Sequence, residues 1–168
     1  VMPENMSEER KKIIKALGGE LILTPAEDSI DGCIRKVKEL ESGDPMIYIP
    51  QQFENMDNPK IHYLTTGPEI WEDLNHRIDI FVSGLGSGGT LAGIGQFLKK
   101  RDPGIKVVAV EPKNVSALLG HEPGPHKIQG IGAGFVPKVM DLALVDEIIM
   151  FDMYSQMKGR RKGYKLLA

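Results

Sequence analysis

The residues with the clearest chemical content are Gly84-Leu85-Gly86-Ser87-Gly88-Gly89-Thr90. Glycines let a backbone approach a ligand closely and adopt positive φ. A helix that starts just after such a run presents unpaired N–H groups, which favour an anion. Ser87 and Thr90 add two hydroxyl donors. Together these residue types make a cup for a phosphate. The plainer reading is that the glycines serve a tight turn and close packing. Four glycines and two hydroxyls where a strand ends exceed what packing alone asks for.

The owner of the phosphate stays open on spacing alone. Gly84-x-Gly86-x-x-Gly89 also fits a dinucleotide fingerprint, and Glu111 ends the next strand, where a ribose-binding acid could sit. That fingerprint normally opens the first βαβ unit, whereas here at least two strands precede it. The Walker pattern fails because no Lys follows the last glycine. Other polar candidates have simpler roles. Cys33 lies on an apolar helix stripe and reads as a buried structural thiol, and Trp71 as a packing anchor. His121 has no partner at ligand spacing, so no metal site is expected, and Arg160-Arg161-Lys162 reads as a solvated face.

The elements that must position the cup follow from periodicity. Ile78 to Ser83 is the best strand in the chain and runs straight into the glycines; a helix over about 91–101 and a strand from Lys106 to Val110 follow. Ile80-Phe81-Val82 is apolar at consecutive positions, as in a strand covered on both faces. Upstream, Ser7 can cap a helix over about 8–17, with Ile13, Ile14 and Leu17 as its buried stripe. A short strand over 20–24 comes next. Ile30, Cys33, Ile34, Val37 and Leu40 then mark a helix over about 29–41, followed by a strand from Met46 to Pro50. The polar segment 51–65 reads as a loop with room for a helical turn, and a helix starts near Pro68. Strand character returns over 144–151; 155–161 reads as helix and 164–167 as strand. This alternation implies an α/β fold, a twisted, mainly parallel sheet with helices on both faces.

Composition bounds the rest. The chain has 168 residues, 41% hydrophobic and 26% charged, as in ordinary globular proteins. No apolar run approaches the roughly 20 residues a bilayer needs. Its 21 basic and 23 acidic residues leave a net charge of −2, so nothing draws it to nucleic acid or to a membrane surface. The single cysteine excludes an internal disulfide framework and fits a reducing, cytoplasmic setting. Val1-Met2-Pro3-Glu4 has no leader pattern, and a start on Val points to a longer protein.

Four stretches carry a resemblance that no fingerprint could. They are MPENMSEERKKIIKALGGELILTP at 2–25, PQQFENMDNPKIHYLTTGPEIWED at 50–73, GLGSGGTLAGIGQFLKK at 84–100 and GPHKIQGIGAGFVP at 124–137. Over 2–149 the chain resembles the cysteine synthase (O-acetylserine sulfhydrylase) family of fold type II pyridoxal phosphate enzymes. The resemblance implies a partial tryptophan-synthase-β-like fold, with 1–49 (and 155–168) in a small mobile domain and 50–150 in a large cofactor domain. It implies that Gly86, Ser87, Gly88, Gly89 and Thr90 cradle the phosphate of pyridoxal 5′-phosphate, Ser87 standing where the family usually has Thr. Gln52 resembles the glutamine that binds the substrate carboxylate, and His62 a histidine near the site entrance. Gly132, Ala133, Gly134 and Phe135 resemble a loop beside the cofactor. His126 and Lys127 fall in the segment that docks the C-terminal tail of serine acetyltransferase in relatives.

The implied activity is β-replacement, cysteine from O-acetylserine and sulfide, in enzymes that are usually homodimers. The family's S-V-K-D-R-like, T-S-G-N and S-S-G-A motifs do not occur in these 168 residues, so no Schiff-base lysine or other catalytic residue is assigned. Two other readings stand beside this one: a non-catalytic module for a phosphate ligand or an acetyltransferase tail, and a nicotinamide-cofactor domain built on GxGxxG. The end of the chain, KGYKLLA, resembles the family segment that precedes VMPENMS, which suggests a fragment in rearranged order.

Overall fold

The computed structural model describes residues 1–121 and 128–152. The chain divides into two compact units, Val1–Pro50 and a second beginning at Gln51.

The first unit holds β1 (Met2–Pro3), α1 (Glu8–Ala16), β2 (Leu23–Thr24) and α2 (Ser29–Gly43). β1 and β2 pair in parallel, Met2 with Leu23 and Pro3 with Thr24. α1 and α2 form where the apolar spacing predicts them. The stripe on α1 is not buried, however: Ile13 and Leu17 are 58% and 83% exposed. Two strands of two residues are too small a sheet to cover it. Ser7 makes no side-chain cap, and Lys11 closes the turn instead through the Glu4 carbonyl at 2.6 Å and Glu8 at 2.7 Å. Cys33 is partly buried, with its sulfur 3.2 Å from the Thr24 hydroxyl. The strand expected over 46–50 does not form. Asp44 turns the chain there, accepting from the Met46 and Ile47 amides.

The second unit opens with helical backbone from Asp57 to Asp73: α3 (Asp57–Ile61), a π-helical turn (His62–Thr66) and α4 (Gly67–Asp73). Much of what reads as loop from sequence is therefore helix. Pro59 is compatible because it lies in the first turn, where its missing N–H would have no helical acceptor. The sheet is β3 (Ile80–Gly84), β4 (Lys106–Pro112) and β5 (Glu147–Phe151), all parallel with β4 in the middle. β4 is buried almost throughout. β3 alternates instead, with Ile80 and Val82 more than half exposed, so the expected cover on its second face is not present among the described residues.

α5 (Gly89–Arg101) crosses from β3 to β4 and supplies five of the twelve buried hydrophobic residues described. Leu91 packs with Leu85, Val107 and Ala109. Ile94, Phe97 and Leu98 pack with Ile105, Tyr63, Ile70 and Trp71. The helix lies unusually close to 57–73. A Cβ on Gly93 would overlap the Pro59 carbonyl, and one on Gly67 would sit 2.9 Å from Phe97. Among the described residues no helix is long and apolar enough to cross a membrane.

Candidate functional site

The loop between β3 and α5 sits at the C-terminal edge of the parallel sheet, where α/β folds bind ligands. Gly88 caps α5 with φ of +90°, a left-handed conformation that favours glycine. No side chain caps this helix, and its first turn carries no acidic residue. Its leading N–H groups therefore remain available to an outside acceptor, and the helix dipole favours an anion there. Lys99, Lys100 and Arg101 in the last turn complement the opposite pole.

The glycines also serve packing. A Cβ on Gly86 would overlap the Gly130 carbonyl, one on Gly89 the Asn58 amide, and one on Gly88 would lie 2.7 Å from Met140 Cγ. The plainer reading of the glycines thus holds for their outer side. Loop 128–140 forms the contacts at Gly86 and Gly88, and Asn58 of α3 the one at Gly89. The loop's Gly132 N–H donates to the Leu85 carbonyl at 3.1 Å, and Phe135 meets Phe53 edge-on at 5.0 Å.

Both cup hydroxyls are backed by one helical ridge. Asn58 Nδ2 donates to Ser87 Oγ at 3.0 Å. One turn later, His62 Nε2 lies 3.2 Å from Thr90 Oγ1, while its Nδ1 lies 3.0 Å from Thr66 Oγ1. His62 is thus part-buried and bonded to the loop itself. Gln52 is exposed, and its backbone carbonyl accepts from the same Asn58 Nδ2 at 2.7 Å. Asn58 therefore links Gln52 to Ser87, and His62 links Thr66 to Thr90, as two hydrogen-bonded groups one helical turn apart. Sequence reasoning missed Asn58. Its one signal was the i, i+4 spacing to His62, which carries meaning only once 57–66 is helical. His126 and Lys127 lie outside the described residues.

Glu111 is not a ribose-binding acid. It is 1% exposed and fully engaged, accepting from Ser116 Oγ at 2.6 Å and from the Ala117 and Leu118 amides at 3.1 Å. It closes its own loop, which removes the residue that favoured a nicotinamide cofactor.

The family model described as pyridoxal-phosphate dependent enzyme matches residues 1–155. The chain belongs to that family. It is 47% identical over 165 residues to a cysteine synthase of Staphylococcus aureus, a match covering 98% of this chain and 53% of that protein. The crystal structure of cysteine synthase from Entamoeba histolytica superposes with a TM-score of 0.85 at 43% identity, over 95% of this chain and 47% of that one. An O-acetylserine dependent cystathionine β-synthase from Helicobacter pylori gives 0.85 at 43% identity, over 95% and 52%. The chain thus spans about half the length of the relatives it matches. Members of the family depend on pyridoxal phosphate. The residues here fit that group's phosphate: an uncapped helix start, two hydroxyls held from behind, and a loop whose glycines admit close approach.

Proposed function

We propose that this chain carries the cofactor-phosphate portion of a cysteine synthase, which replaces the acetate of O-acetylserine with sulfide to give cysteine. In that exchange the Cβ–O bond breaks, acetate leaves, and a Cβ–S bond forms. The observation that carries the reading is the uncapped start of α5 flanked by Ser87 and Thr90, each hydroxyl backed by one helical ridge.

Gly86, Ser87, Gly88, Gly89 and Thr90 hold the 5′-phosphate through backbone N–H groups and hydroxyls. The exposed Gln52 side chain offers its amide to the substrate carboxylate. His62 holds Thr90 in place from the second helical turn. Bound pyridoxal phosphate supplies an electron sink beside the substrate Cα. On the same reading the whole enzyme is a cytoplasmic homodimer, 1–49 belong to its small mobile domain and 50–150 to its large one. His126 and Lys127 then form part of a docking surface for an acetyltransferase tail.

Titration of the chain with pyridoxal 5′-phosphate, followed by phosphorus NMR, tests the reading. Saturable binding that inorganic phosphate competes away, and that pyridoxal without its phosphate does not reproduce, is expected. Preferential binding of NADH, or no phosphate-dependent binding, would overturn it. The whole enzyme is then assayed for cysteine formation with O-acetylserine and sulfide. Homocysteine or serine as the preferred partner would reassign the substrates and leave the phosphate site intact.

A further inference from the structure

The geometry points to Asn58 as a positioning residue that fixes the polarity of the Ser87 hydroxyl and couples the Gln52 turn to the phosphate cup; this rests on the phosphate reading above. The amide nitrogen of Asn58 has two protons. One goes to the Gln52 carbonyl at 2.7 Å, an oxygen that can only accept. This contact settles which side of the amide faces the cup. The second proton goes to Ser87 Oγ at 3.0 Å, so Ser87 must accept there. Ser87 makes no other hydrogen bond among the described residues, and its own proton is left for an acceptor in the cup. A hydroxyl that accepts one bond is polarised into a better donor for the next.

Thr90 is held differently. Its neighbour His62 can donate or accept, depending on which ring nitrogen carries the proton. Asn58 has no such freedom. Gly89 leaves it in place, since a Cβ there would overlap the amide. An amide at 58 therefore leaves the Ser87 proton for a ligand atom that accepts, as the oxygens of a phosphate dianion do. Because the same nitrogen holds the Gln52 carbonyl, a shift of the 51–55 turn is felt at Ser87. That turn is tied at its start by the Glu54 and Asn55 amides, which donate to the Gln51 carbonyl.

The test is a double-mutant cycle on the full chain, read as the dissociation constant for pyridoxal 5′-phosphate by calorimetry and as the phosphorus chemical shift of the bound ligand. Asn58→Leu keeps the shape of the amide without its donors, and Asn58→Ala removes it. Each, like Ser87→Ala, is expected to weaken binding about five- to tenfold. In the Ser87→Ala background, neither change at 58 should weaken it further. Asn58→Asp, an acceptor facing Ser87, should weaken binding more than Asn58→Leu. Trp71 fluorescence checks that each variant is folded, and two replacements of different size keep the cycle readable if one is not.

Equal loss on both backgrounds would assign Asn58 to packing and overturn the proposal. Wild-type binding that no change at 58 affects would overturn it alone, leaving the phosphate site standing. A wild-type chain without phosphate-dependent binding would overturn both.

Discussion

Alanine at Gly93 and at Gly95 makes a matched pair on one helix. Both residues are buried in α5, and both substitutions gain roughly 1 kcal/mol in helix propensity. They differ in what the new methyl meets. At Gly95 the Cβ would lie 3.3 and 3.4 Å from the two methyls of Val107, side-chain atoms that can yield by a few tenths of an ångström. That cost is about the size of the propensity gain, and the net change should fall within about 0.5 kcal/mol of zero. At Gly93 the Cβ would overlap the Pro59 backbone carbonyl and lie 2.8 Å from His62 Cβ. A carbonyl in a helix cannot rotate away, so α5 and the 57–66 ridge must separate. Overpacking of this kind costs about 3 kcal/mol, which leaves a net loss of about 2 kcal/mol after the propensity gain.

Urea unfolding followed by Trp71 fluorescence measures both variants. Trp71 is the only tryptophan and packs against the Ile94–Phe97–Leu98 cluster of α5, so it reports this unit alone. The separation should also lengthen the His62–Thr90 contact, so the Gly93 variant should lose phosphate affinity while the Gly95 variant keeps it. If the two midpoints lie within about 0.5 kcal/mol of each other at equal slope, close approach of backbone to helix is not what Gly93 provides.

Two further predictions concern groups away from the cup. Lys99 at 2.7 Å, and then the Val107 N–H at 2.7 Å, hold the Asp146 carboxyl below its ordinary value. A lowered folded pKa contributes stability above the unfolded pKa, and that contribution disappears as pH falls through the folded value. The melting gap between wild type and Asp146→Asn should therefore be open near pH 6 and narrow as pH falls below the ordinary carboxylate range; a gap that does not change with pH would refute the assignment. Glu111→Ala strands the Ser116 hydroxyl and leaves two amides short of their acceptor, and should cost about 3 kcal/mol in urea unfolding, with Glu111→Gln losing less. A loss below about 0.5 kcal/mol for the alanine variant would mean that water replaces the carboxylate freely.

The βαβ unit around the cup was legible because local preference and tertiary role agree there. Strand residues 78–83 became Ile80–Gly84, the helix over 91–101 became Gly89–Arg101, and 106–110 became Lys106–Pro112. Segment 51–65 was not legible. Its Asn, Gln and Pro residues have turn chemistry, and only close packing against α5, through Gly67 on its own side and Gly89 and Gly93 on α5, makes 57–73 helical. With that helix invisible, Asn58 and His62 were two polar residues in a loop, not one face. The α1 stripe failed for the opposite reason. Ile13 and Leu17 have correct helical spacing, but spacing names a face without naming what covers it.

The same contrast bears on what makes the cup specific. Every residue assigned to it is neutral, in a chain whose net charge is −2. On the proposed reading, an anion bound there would be held by oriented donors and a helix pole rather than by a counter-charge, so donor direction would decide affinity. Glycines alone cannot set that direction, because each only permits a backbone path. The 57–66 ridge can, since it holds Ser87 through Asn58 and Thr90 through His62 at one helical turn's separation. Gly89 and Gly93, one turn apart on α5, let that ridge come near enough to reach both hydroxyls. The glycines that looked like ligand-binding residues and the glycines that look like packing residues are then the same device. Close packing on the outer side aims the donors on the inner side, and a methyl added behind the cup should act on the ligand as surely as one added in front.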